Sequence, residues 1–185
     1  MKRFFGAALA IILLLMAVAF GVGQLEQREA TTTNAVKQGS DATAAVIYAA
    51  SFAGLDGRNR TLGEWGGRLL IVNFWATWCA PCLEEIPMFV EMQAKHGVNG
   101  LQIVGIAADS SSNVANFVQK LKINYPVFAD EARALEFSKR VGNRLGLLPF
   151  TVVLSPQGDI LLTRLGVMTS TEVETLVSSH RQAKR

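Results

Sequence analysis

Leu69-Leu70-Ile71-Val72-Asn73-Phe74-Trp75-Ala76-Thr77-Trp78-Cys79-Ala80-Pro81-Cys82 is the stretch on which the reading turns. Its first eight residues are β-rich and apolar at every position but Asn73, as expected of a central strand buried on both faces. Beyond Cys79, Leu83, Ile86, Val90 and Ala94 follow helical spacing. Cys79 and Cys82 are the only cysteines of 185 residues, and they sit where strand gives way to helix. A thiol pair there can close a disulfide across one helical turn and reopen it. The unpaired N–H groups and dipole of the helix favour negative charge on the first sulfur. The implied chemistry is thiol–disulfide exchange.

Other uses of a C-x-x-C need more than this chain offers. A structural zinc requires two further ligands, and only His96 and His180 remain, with no second C-x-x-C, so no metal site is expected. Covalent haem needs His directly after the second cysteine, and that position is Leu83. A static structural disulfide stays open as an alternative, although so short a loop adds little stability.

Composition narrows the setting. Half of the residues are hydrophobic and 18% are charged, enough for a sizeable core. A net charge of +3 is spread without the basic stripe and interleaved aromatics of a nucleic-acid binder, so that class is excluded. Lys2 and Arg3 precede an uncharged run over 4–22 that spans roughly 28 Å as a helix, close to a bilayer core. The run is long for a signal-peptide core and lacks a clean small-residue cleavage site at its end. An uncleaved inner-membrane anchor is expected, with a cleaved signal peptide as the alternative. The basic lead places the N-terminus in the cytoplasm and the rest outside, where disulfides persist. Three parts follow: residues 1–23 as anchor or signal segment, 24–49 as a polar flexible linker, and 50–185 as the folded domain.

Within that domain, strands and helices alternate. Phe52 to Leu62 reads as a hairpin around Asp56-Gly57, and Leu101–Ala107 as a second buried strand. Ser111 or Ser112 is expected to cap a helix with Val114, Phe117, Val118 and Leu121 on one face. Pro126–Ala129 is a short strand, and Asp130 caps the helix bearing Leu135 and Val141. Phe150–Leu154 and Ile160–Leu165 form an antiparallel hairpin. Thr169 and Glu172 stand in capping-box spacing before a final helix. Pro87 lacks an N–H and should kink the helix after the cysteines. The class is α/β, with helices on both faces of a sheet.

With Glu85, Pro87 and the later Leu148-Pro149-Phe150-Thr151, the run Val72–Cys82 resembles thioredoxin-fold proteins. More narrowly, it is similar to the membrane-anchored TlpA/ResA-like thiol–disulfide reductases of the bacterial cell envelope. The likeness covers roughly 50–185. It implies a thioredoxin-like α/β fold, with a central mixed β-sheet flanked by helices and preceded by one N-terminal transmembrane helix. By the same likeness Cys79 is the exposed attacking thiolate and Cys82 the resolving thiol. Pro149 is then the cis-proline that leaves the backbone of Leu148 open to substrate, unless it is an ordinary strand-start proline. Trp78, Ala80 and Pro81 form the docking rim. Ordinary thioredoxins carry a buried Asp six positions before the first cysteine, where this chain has Asn73; the TlpA/ResA-like branch pairs such an Asn with a glutamate at the place of Glu85. That glutamate would take the proton of Cys82 during resolution. Otherwise it is, like Glu84, a solvated charge near a helix N-terminus. Leu147 replaces the small residue usual in its loop. His96 and His180 are expected on the solvent side of helix ends.

The direction of electron flow follows from the local charge. No His lies between the cysteines, and Glu84 and Glu85 disfavour a thiolate, which makes the couple more reducing. The expectation is a reductase acting on disulfides of exported apoproteins, such as those of cytochrome c maturation. It would need no cofactor beyond the Cys79–Cys82 disulfide and would be recharged by a transmembrane donor of the DsbD/CcdA kind. A disulfide-forming oxidase is the reverse alternative. A copper-binding module using both thiols, and a peroxiredoxin-like peroxidase, are the other two; Thr77-Trp78-Cys79 lacks the peroxidatic spacing.

Overall fold

A computed structural model describes residues 38–183 of the chain, with side chains described as far as Arg181. Residues 1–37, which include the expected anchor, lie outside the described residues. Among those described, no helix is long and apolar enough to cross a membrane.

The first described element is a helix over 38–49 (α1), inside the segment expected to be linker. The compact unit that carries the sheet begins at Asp41. Ala44 and Ile47, three residues apart on one face of α1, are buried in its core. Two apolar side chains at helical spacing are too few to register against a polar composition, yet they suffice once a core exists to receive them. Strands β1 (Ser51–Ala53) and β2 (Asn59–Thr61) follow as the expected hairpin, turning at Gly57 with φ of 75°. That positive φ suits a glycine.

Five strands make the main sheet: β3 (Leu69–Trp75), β4 (Leu101–Ala107), β5 (Val127–Ala129), β6 (Phe150–Leu154) and β7 (Ile160–Leu165). Their order is β5-β4-β3-β6-β7, with β5, β4 and β3 parallel and β6 and β7 antiparallel. β3 and β4 are buried at every residue, as two-faced burial in the middle of a sheet requires. Helices α2 (Ala80–His96), α3 (Ser111–Lys120), α4 (Glu131–Arg140) and α5 (Ser170–Ala183) flank it. This is the thioredoxin-like arrangement of a central mixed sheet between helices.

Side-chain alternation along β3 divides the two faces. Phe74 points to α4, stacking 5.9 Å from Phe137 and 6.0 Å from Phe150. The same aromatic cluster takes in Phe52 and Phe128. Asn73, one residue earlier, points the other way and bonds Glu85 of α2. α2 is one continuous helix through Pro87. Asp130 caps α4 as expected, and Thr169 and Glu172 bond each other's backbone N–H reciprocally ahead of α5. The cap of α3 is Ser110, one residue before the expected pair.

His96 departs from the expectation of a solvent-side residue: it is 4% exposed. Its Nε2 meets both carboxylate oxygens of Glu174 at 3.1 Å, and Arg181 reaches Nδ1. α5 folds back across the end of α2, which covers a ring that the sequence left at a helix terminus.

Candidate active site

β3 delivers the chain to the cysteines through a turn fastened to the neighbouring strand. Ala108 N donates to Trp75 O at 2.8 Å, and Thr77 Oγ1 donates to the Asp109 carboxylate. That carboxylate also accepts from Ser110 N at 2.7 Å and from Asn113 Nδ2 at 2.9 Å. Burial pushes Asp109 up, but the hydrogen bonds from Thr77, Asn113 and Ser110 outweigh it and hold the carboxyl below its ordinary range. No feature of the sequence singled out Asp109; the crossing of β4 beside the turn makes it a clamp.

Cys79 is the N-cap of α2, and its carbonyl accepts from Cys82 N at 3.0 Å and Leu83 N at 3.2 Å. Pro81 in the first turn lacks an N–H that would have gone unpaired anyway. Cys79 and Cys82 are joined in a disulfide, with Cα atoms 5.3 Å apart. Cys79, expected to be exposed, is only 6% so in this closed form, and Cys82 is fully buried. The accessible surface belongs to Trp78, 66% exposed, with Ala80 and Pro81. Trp75 is wholly core.

One turn along α2 from Cys82, Glu85 belongs to a buried polar group. Asn73 Nδ2 donates to Glu85 Oε1 at 2.7 Å and to Thr151 Oγ1 at 3.0 Å. Met168 N donates to the other Glu85 oxygen at 3.0 Å. Asn73, Glu85 and Thr151 are all fully or almost fully buried. Desolvation raises Glu85 from an ordinary 4.5 to about 7, against the two hydrogen bonds that favour its ionised form. A carboxyl in that range takes and releases a proton near neutrality. Tyr125, itself buried, is pushed up by burial and then by the Glu85 charge. Glu84, next in the chain, is exposed to solvent. Thr151 and the Met168 N–H went unassigned in the sequence: a backbone donor carries no side-chain signature, and the two arrive from far along the chain, Thr151 on β6 and Met168 in the loop between β7 and α5.

The Leu148–Pro149 peptide bond is cis. Phe74 pairs with Phe150 across β3 and β6, which sets buried Pro149 level with the end of β3 that leads to Cys79. Its carbonyl accepts from Gly166 N at 2.8 Å. Leu148 is half-buried and Leu147 exposed. Among the described residues, no cluster of three or more His, Cys, Asp or Glu side chains is placed to hold a metal.

A family model described as Redoxin matches residues 35–178. The chain belongs to the Redoxin family. This redoxin is 30% identical over 122 residues to the thiol-disulfide oxidoreductase ResA of Bacillus cereus, covering 65% of this chain and 68% of that one. It is 27% identical to the ResA of Geobacillus thermodenitrificans over 91% of its own length and 92% of the relative's. A thioredoxin family thiol:disulfide interchange protein from Chlorobium tepidum superposes with a TM-score of 0.63 at 28% identity, over 71% of this chain and 92% of that one. The redoxin is thus ResA/TlpA-like within the thioredoxin superfamily, and a disulfide oxidoreductase. Its match begins within the segment expected to be linker, in keeping with the helix found there.

Proposed function

We propose that this protein is a thiol–disulfide reductase of the bacterial cell envelope that reduces disulfides in exported proteins. The observation that carries the reading is the closed Cys79–Cys82 pair at the head of α2, one helical turn before a buried carboxyl poised near neutrality. In the reduced protein the Cys79 thiolate attacks one sulfur of a substrate disulfide and releases the other as a thiol. Cys82 then attacks Cys79 Sγ, restores the protein disulfide and frees the second substrate thiol. Two electrons pass from protein to substrate.

Glu85 accepts the proton that Cys82 must lose, and Asn73 and Met168 hold it in place. Pro149 and the backbone of Leu148 receive the substrate chain, with Trp78, Ala80 and Pro81 as the opposite rim. The cysteine pair alone carries the redox chemistry, with no further cofactor. Residues 4–22 anchor the protein in the inner membrane with the domain outside. A transmembrane donor of the DsbD/CcdA kind returns electrons to the pair. Apoproteins with their own C-x-x-C, as in cytochrome c maturation, are the substrate class.

The reduction potential of the full chain in detergent, equilibrated against dithiothreitol and glutathione, tests the direction. A value more negative than about −250 mV supports a reductase; one near about −120 mV makes the protein a disulfide-forming oxidase.

A further inference from the structure

The loop over 142–147, between α4 and the cis-proline, is fastened from inside and apolar outside. Gly142 and Gly146 take positive φ values of 119° and 64°. Asn143 is buried, and its Nδ2 donates to Leu147 O at 2.8 Å and Ser138 Oγ at 3.2 Å. Its Oδ1 accepts from Leu147 N at 3.2 Å, and its carbonyl from Gly146 N at 2.9 Å. A loop tied at this many points does not fold its leucines inward: Leu145 is 72% exposed and Leu147 53%.

Positive charge surrounds them. A Cβ placed on Gly146 would meet Lys139 Cε at 2.8 Å and Nζ at 3.6 Å, so the lysine lies across the loop between the two leucines. Arg144 is exposed beside Leu145. Neither Lys139 nor Arg144 forms an ion pair with a described residue. Across Pro149, the bond from Gly166 to its carbonyl sets exposed Val167 beside it.

Resting on the reductase reading, we infer that loop 142–147 selects the substrate. It takes an extended polypeptide whose disulfide cysteine is flanked by a large apolar side chain and a carboxylate. The apolar group covers Leu145 and Leu147, and the carboxylate meets Lys139 and Arg144. Their charge is opposite in sign to that of Glu84 and Glu91 exposed on α2, which fixes the side on which the acidic flank lies.

The test uses full-length protein, reduced and freed of reductant. It is reacted with two synthetic disulfide peptides, one flanked by Leu-Glu on both sides and one by Ser-Lys. Rates are normalised to reduction of hydroxyethyl disulfide by the same preparation, which reports thiol reactivity and folding. The wild type is expected to favour the Leu-Glu peptide in the second-order rate constant of this single turnover by about tenfold or more. The Leu145→Ser/Leu147→Ser and Lys139→Glu/Arg144→Glu variants should each lose most of that ratio, and 0.5 M salt should shrink the wild-type ratio. Equal rates for the two peptides, or a preference that survives both variants, overturn the inference while the reductase reading stands. Failure to reduce any of the three disulfides overturns both.

Discussion

Replacing Glu85 by glutamine should remove a pH dependence of stability that the wild type carries between about pH 4.5 and 7. The shift of this carboxyl from 4.5 to about 7 means that its ionised form is disfavoured in the folded protein by about 3 kcal/mol, at about 1.4 kcal/mol per pH unit. The folded state therefore holds a proton in that window that the unfolded chain has released. Stability attached to the neutral carboxyl is fully present below about 4.5 and is lost as pH rises through about 7. Glutamine keeps the shape and stays neutral throughout. The assay is urea unfolding of the oxidised proteins, wild type and Glu85→Gln, at intervals from pH 4 to 8, so that neither thiol titrates. Titrating groups elsewhere contribute equally to both and cancel in the difference. The difference should be flat below pH 4.5, move by about 3 kcal/mol in favour of the variant by pH 7.5, and then level off. Parallel curves would refute the argument that burial holds Glu85 near neutrality.

Ile47→Ala should cost about 2–4 kcal/mol in the same unfolding assay, because the side chain is buried in the core; a cost within about 0.5 kcal/mol would return residues 41–49 to linker. Cys82→Ser should trap a mixed disulfide between Cys79 and a substrate peptide, seen as a reducible adduct by intact mass; an adduct that turns over would deny Cys82 the resolving role. Asp109→Asn should flatten the acid limb of the stability curve. The wild-type carboxyl is held below its ordinary range, so its stabilisation is present above that range and lost as pH falls through its folded value. An unchanged acid limb in urea unfolding counts against the clamp at Thr77.

The redox pair and its central strand could be read directly from residues 69–82, because a two-faced apolar strand running into a C-x-x-C helix is a local pattern. β3, β4 and the β6–β7 hairpin followed from apolar runs and turn residues, which act over a few positions. The caps at Asp130 and Thr169 are local as well. α1 was illegible for the opposite reason: its Ala44 and Ile47 gain their free energy only from a core assembled out of β-strands further along.

What the tertiary structure alone decided is the environment. Glu85 stands beside Glu84 in the chain with the same chemistry, yet one is buried against Asn73 and Met168 and the other is solvated. His96 became a buried partner of Glu174 in the same way, and Asp109 a clamp on the turn before Cys79. Burial, and with it proton affinity, depends on which distant strand or helix closes over a side chain, whereas the cysteine spacing and the strand before it are complete within fourteen consecutive residues.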